Sequence, residues 1–266
     1  MTEISLSIAG ATGWTGRAIV DGALAAPDIT LTSAIARSST GEDLGSALGR
    51  EPLGVLVHGS VAEAVEGVDV LVEFTSHVHA KEIALAAVER GVAIVIGSSG
   101  LKAGDYADID AAARAAGVGA VAAGNFSLTA AMMLAGAELA ARHLPRWEII
   151  DYAKSTKPDA PSGTAQELAE RLREIRAPEL DVPVEEVSGH PDARGADIAG
   201  TQVHSVRLPS FVVSTEVVFG ATDERLSIRH DAGGSAAPYV DGALLAVRRV
   251  RGHVGLVRGL DRLLLA

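Results

Sequence analysis

The 266-residue sequence contains no cysteine. That excludes disulfides, thiolate metal sites and a cysteine nucleophile, and it suits a reducing cytoplasm. Aromatic residues are scarce, at 3% of the chain against 48% apolar residues, so the core must be made of Ala, Val, Leu and Ile. With 29 glycines, this composition suits an α/β protein with tight turns better than a β-sandwich. Basic residues are in the minority, 23 against 34 acidic ones, for a formal charge of −11. Such a surface argues against nucleic acid as a partner. An uncharged apolar run of membrane-spanning length is also missing. The best candidate, LTAAMMLAGAELAARHL, carries Glu138 and Arg142 and reads as a packed helix, so no membrane partner is expected. No signal-peptide pattern precedes ISLSIAG at 4–10, and a cytoplasmic location is expected.

What the chain does have is alternation. ISLSIAG (4–10), ITLTSAIAR (29–37), VDVLVEFT (68–75), VAIVIGSS (92–99) and GVGAVAAGN (117–125) are apolar runs of strand length. Helical patterns separate them, as in HAKEIALAAVERG, which ends on a glycine. Near-continuous apolar strands between helices predict a parallel sheet covered on both faces. The second half differs. A helix is expected over about 128–144, a strand over 147–153 and an amphipathic helix in AQELAERLREIRA. Two or three β-rich runs follow within 203–232, after a Gly/Pro/Asp-rich loop at 188–201. This half reads as a smaller α+β domain with an antiparallel or mixed sheet, and chemistry is expected in the crevice between the two domains.

Two stretches carry chemistry. GATGWTG (10–16) follows the first strand and opens the first helix, with Gly10, Gly13 and Gly16 in a GxxGxxG spacing. Glycines admit a pyrophosphate close to the backbone, and the helix start offers N–H donors and a positive dipole end. An ordinary tight turn is the plainer alternative. The second strand ends in Ala36-Arg37-Ser38-Ser39, an arginine beside hydroxyls where a carboxylate would bind a ribose 2′-hydroxyl. That favours a 2′-phosphate, hence NADPH over NADH, although a solvated surface arginine would look the same. The other stretch is DYAKSTKPDAPSGTAQELAE (151–170). Pro158 and Pro161 stiffen the approach to Ser162-Gly163-Thr164 at a helix start, an anion site suited to a carboxylate, with Lys157 at hand to neutralise it. Ser162 could equally be a simple N-cap.

KPDAPSGTA (157–165) closely resembles the signature of the dihydrodipicolinate reductase family, which carries out the reductive step of the diaminopimelate route to lysine. The resemblance runs in order along nearly the whole chain. GATGWTGR (10–17) resembles the family's nucleotide loop, which extends the cofactor-binding set to Gly10, Thr12, Gly13, Trp14, Thr15 and Gly16. EFTSH (73–77) resembles its Asp-Phe-Thr segment near the nicotinamide and brings in Phe74 and Thr75. IGSSG (96–100) and GNFS (124–127) resemble its Gly-Thr-Thr-Gly loop and Ala-Asn-Phe-Ser hinge, adding Gly97, Ser99, Asn125 and Phe126.

The resemblance implies a Rossmann-type nucleotide domain, residues 1–126 plus 237–266. It also implies a mixed-sheet domain, residues 127–236, for substrate and oligomerisation, usually as a homotetramer. The reaction would be hydride transfer from NAD(P)H to a cyclic imine or enamine carboxylate. Lys157 would be catalytic or substrate-binding, and Ser162, Gly163, Thr164 and Ser99 would hold the carboxylate. One departure stands out. Where the family has Glu-Ala-His-His, this chain has Asp151-Tyr152-Ala153-Lys154, so the usual general acid is missing. Lys157, Lys154 and Tyr152 are the candidate proton donors, with His204 and His230 as lesser ones. The missing pair suggests an altered substrate. The alternatives are the lysine-pathway enzyme with a replaced acid, a binding protein for NADPH or a small acid, and a non-reductive enzyme using the cofactor structurally. The His77-x-His79 pair lacks nearby metal-ligand types, and no metal is expected.

Overall fold

The computed structural model describes residues 3–265. The chain divides into two units, one running to Leu128 and resuming at Ala236, the other from Thr129 to Ser235.

The first unit begins with β1 (Ile4–Ala9), α1 (Trp14–Ala25) and β2 (Ile29–Ile35). Short elements follow: α2 (Leu44–Ala47), β3 (Leu56–His58) and α3 (Val61–Ala64). Then come β4 (Val70–Glu73), α4 (His77–Val88), β5 (Ala93–Ile96), α5 (Ala103–Ala116) and β6 (Gly119–Ala122). The seven-stranded sheet has the order β12-β6-β5-β4-β1-β2-β3, and every adjacent pair is parallel. Read from β3, this is the 3-2-1-4-5-6 order of a Rossmann-type domain with one strand added. Leu71, Ile94 and Ile96 pack with Ala84, Val88 and Ile109 of α4 and α5. Strand alternation turns Val72, Val95 and Val121 to the other face, and all three are fully buried. Burial on both faces explains why these strands read as unbroken apolar runs.

The two edge strands escaped the sequence reading. β3 has three residues with Leu56 exposed, too short and too wet for a strand pattern. β12 (Gly255–Arg258) comes after α8 (Ala237–Val250) and before α9 (Leu260–Leu265), far from the alternating half. α8 returns to this unit and packs on α1.

The second unit holds α6 (Leu128–Ala141), β7 (Arg146–Ala153) and α7 (Gly163–Ile175). β8 (Ala196–Ile198), β9 (Thr201–Arg207), β10 (Val213–Ala221) and β11 (Glu224–Ala232) complete it. The five-stranded sheet runs β11-β10-β7-β9-β8, with β7 and β9 parallel and the other pairs antiparallel. Trp147 and Ile149 on β7 pack with Val217 and Phe219 on β10 against Met133, Leu134, Leu168 and Leu172 of α6 and α7. One face is therefore dry, and β7 alternates strictly between buried and partly exposed residues. Among the described residues, no helix is long and apolar enough to cross a membrane.

Candidate active site

In the first unit the sequence-flagged residues gather at the C-terminal ends of the parallel strands. The chain turns after β1 at Gly10, with φ +83°. A Cβ there would lie 2.3 Å from the Phe74 carbonyl oxygen, and one at Gly16 would lie 2.0 Å from the Gly10 carbonyl oxygen. Only glycine lets α1 start this close to β1 and β4. Gly13 is the N-cap of α1 and gives no side-chain cap, so the first N–H groups of the helix stay available. A cavity of about 670 Å³ opens at this turn, lined by Gly10, Thr12, Gly13, Arg37, Ser38 and His79 among others. Trp14, Thr15 and Gly16 do not line it; Trp14 is 61% exposed and meets Tyr239 edge-on.

Phe74 and Phe126 meet edge to face at 5.6 Å, and a Cβ on Gly97 would strike the Phe74 ring at 2.1 Å. Next to Phe74 in the chain is Glu73, fully buried, to which the sequence pattern assigns no role of its own. Its Oε1 accepts from the Thr75 backbone N–H at 2.7 Å and from the hydroxyls of Thr75 and Ser98. One carboxylate thus ties the loops after β4 and β5. Ser99 is exposed on the second loop, and Asn125 Oδ1 accepts from the Ser127 N–H at 2.8 Å.

The second unit gathers the 151–170 stretch around Asp151. This carboxylate is fully buried on the helix-covered face of β7. Its Oδ2 accepts from the Ser162 backbone N–H at 2.9 Å, from Arg207 Nη2 at 2.7 Å and from Ser205 Oγ at 3.2 Å. Burial alone would raise its pKa. Hydrogen bonds from Ser162 and Arg207 outweigh burial and hold the carboxyl below its ordinary 3.8. Arg207 Nη2 also donates to the Asp159 carbonyl oxygen at 2.9 Å, and Lys157 Nζ lies 2.6 Å from both Asp159 carboxylate oxygens. Lys157, Asp159, Arg207, Asp151 and Ser162 therefore form one continuous polar chain beneath the start of α7.

At that helix start Ser162 is the N-cap, its Oγ accepting from the Ala165 N–H. The N–H groups of Gly163 and Thr164 remain open by helix geometry, and a Cβ on Gly163 would meet nothing within 4 Å. Lys154 lies just past β7, exposed, its backbone N–H on the Val212 carbonyl.

Tyr152 is not brought to this cluster. Alternation turns it to the opposite face, where its hydroxyl donates to Glu216 and Arg229 stacks 4.6 Å from its ring centre. Burial, with help from Glu216, pushes its phenol up, away from easy proton release. His204 shares that outer face, Nε2 2.7 Å from Glu148, and burial lowers the His230 imidazole. Arg207 carried no sequence signal; only its place at the end of a strand parallel to β7 reveals it. Among the described residues no group of three or more His, Cys, Asp or Glu could hold a metal ion.

The family model described as dihydrodipicolinate reductase, N-terminus, matches residues 4–126, and the C-terminal model matches 129–264. The chain belongs to the dihydrodipicolinate reductase family. It is 41% identical to the 4-hydroxy-tetrahydrodipicolinate reductase of Moorella thermoacetica over 268 residues, covering 99% of each chain. It is 36% identical to that of Thermosynechococcus vestitus, covering 99% of this chain and 98% of the relative. The solved structure of dipicolinate-bound dihydrodipicolinate reductase from Paenisporosarcina sp. TG-14 matches with a TM-score of 0.85 at 27% identity, covering 98% of this chain and 99% of that one. Family membership makes the chain an NAD(P)H-dependent oxidoreductase, and the turn at Gly10 with its open helix start fits a dinucleotide.

Proposed function

We propose that this enzyme reduces 4-hydroxy-tetrahydrodipicolinate, or a close cyclic imine carboxylate, with NADPH preferred over NADH. The observation that carries the reading is the intact anion cradle: the open N–H groups of Gly163 and Thr164 at the start of α7, with Lys157 nearby. The similarity to reductases of that name over 99% of the chain supports the substrate. The NADPH preference rests on Arg37 and Ser38 in the wall of the cavity at Gly10.

A nicotinamide held at the Gly10 turn would supply the hydride. The residues of this chain do the rest. Gly163, Thr164 and the positive end of α7 hold a carboxylate. Asp151 and Arg207 fix the loop that carries them. Loss of the 4-hydroxyl as water turns this substrate into a conjugated imine, and hydride addition to that leaves an electron pair that takes up one proton. Lys157 Nζ is the donor we assign, released from Asp159 as the substrate's own carboxylate takes over that partner's role. Lys154 is the reserve.

A second reading keeps the chemistry and changes the substrate. Ala153 and Lys154 stand where the family carries its histidine pair, and that observation favours it. The test is NADPH oxidation with 4-hydroxy-tetrahydrodipicolinate and a panel of cyclic imino acids, beside Lys157→Ala. Turnover of the named substrate, falling about a hundredfold or more in the variant, supports the first reading. Silence with it and turnover of another imino acid supports the second. The proposal extends to a cytoplasmic homotetramer. Its support is the outer face of the five-stranded sheet, where a cavity of about 680 Å³ is lined by Glu148, Ile150, Arg194 and His204. Light scattering tests the tetramer.

A further inference from the structure

Arg37 and His79 are 42 residues apart in sequence and belong to separate elements. Arg37 follows the end of β2, and His79 sits in the first turn of α4. Arg37 Nη1 lies 3.1 Å from His79 Nε2, and both side chains line the cavity that opens at Gly10 and Gly13. A guanidinium offers donors only and keeps its charge, so Nε2 must be the acceptor and the imidazole proton sits on Nδ1. The contact uses one guanidinium N–H and leaves the others for a ligand.

The rest of the wall makes this contact matter. Arg37 is exposed, and a free arginine must lose rotamer freedom when it grips a ligand. Arg90, just past α4, turns back to that helix, Nη1 on the Ala86 carbonyl oxygen at 2.9 Å. Glu82 adds a carboxylate to the same wall and opposes a second anion. Recognition of a phosphate here therefore depends on where one guanidinium is held.

We propose that His79 is a positioning residue for cofactor choice: it pre-orders Arg37 for a phosphomonoester on the adenosine ribose. The inference rests on the NADPH reading above. It gives an exposed arginine the specificity that a mobile side chain would lack, because the ordering cost is met before binding.

The test is calorimetric titration of adenosine 2′,5′-bisphosphate and adenosine 5′-monophosphate, two ligands that differ only in the 2′-phosphate. Wild type, Arg37→Ala, His79→Ala and His79→Gln are compared. Wild type should prefer the bisphosphate, and Arg37→Ala should abolish that preference. His79→Ala should weaken the bisphosphate about five- to tenfold while the monophosphate moves less than twofold. His79→Gln, whose Oε1 can accept the same guanidinium N–H, should recover most of the loss. Equal weakening of both ligands in His79→Ala would mean a distorted cavity and sink the inference, as would no change at all. If wild type itself shows no preference, the NADPH reading falls and the role of His79 falls with it. If wild type and Arg37→Ala behave as expected and His79→Ala does not, only the inference fails.

Discussion

The two sites are made from opposite materials. The glycine turn of the first unit is made of backbone: Gly10, Gly13 and Gly16 bring a helix start against two strands with no room for a Cβ at the first and last. The loop before α7 in the second unit is made of charge. Asp151, Arg207 and Lys157 use their side chains to link β7 and the end of β9 to the loop at Asp159, Arg207 through that residue's backbone carbonyl and Lys157 through its carboxylate. A backbone site tolerates no added atom but needs no side-chain partner. A charged site tolerates local change but depends on residues far away in sequence. Asp151 and Arg207 are 56 positions apart.

The largest effect should come from adding one carbon to the backbone site. Gly16→Ala places a Cβ 2.0 Å from the Gly10 carbonyl oxygen, with no flexible side chain to give way. The expected result is a loss of more than about 4 kcal/mol in urea unfolding, or a protein that no longer binds adenosine 2′,5′-bisphosphate. A stable, binding-competent Gly16→Ala would break the comparison. Next comes Asp151→Ala. It takes away the carboxylate bonded to the half-buried Arg207 guanidinium, which keeps its backbone carbonyl partners, and should cost about 3 kcal/mol. It should also raise KM for the carboxylate substrate, since the Ser162 N–H loses its anchor.

Acid sharpens the contrast within the second unit. Burial holds the His230 imidazole below its ordinary 6.5, and hydrogen bonds hold Asp151 below 3.8. Each group binds more protons unfolded than folded as pH falls, so each contribution is present above its unfolded value and lost below it. Stability should begin to fall below pH 6.5, at no more than about 1.4 kcal/mol per pH unit from His230, and fall again below 3.8 as Asp151 follows. His230→Gln should remove the first decline and leave the second. A pH profile unchanged by that substitution would contradict the placement of His230.

The same contrast explains what could be read in advance. The apolar runs pointed to five central strands because most of their residues are buried, on both faces throughout β4, β5 and β6. β3 and β12 went unseen because an edge strand of three or four residues needs little pattern. GxxGxxG was legible because close backbone approach demands glycine at fixed spacing. The helix start at Ser162-Gly163-Thr164 was legible through its capping pattern. Arg207, Glu73 and His79 were not, because each works through a partner that only the fold supplies. Tyr152 and Asp151 show the limit most sharply. They are neighbours in sequence on opposite faces of one strand, and it is the aspartate that reaches the loop.

The smallest effect separates the two readings of Ser162. Sequence allowed it to be a substrate ligand or an N-cap. Here its hydroxyl accepts from Ala165, its N–H is spent on Asp151, and it is 3% exposed. Ser162→Ala should therefore cost about 1 kcal/mol of stability, the usual worth of a cap, and raise KM less than Thr164→Ala does. Thr164 keeps its N–H open at the second helical position, and its hydroxyl can join the same anion. Thr164→Ala should raise KM about tenfold, since a hydrogen bond to a charged group is lost, with little change in unfolding. The reverse pattern, KM moving with Ser162 and stability with Thr164, would mean that the loop rearranges when substrate binds and that the serine turns outward to meet it.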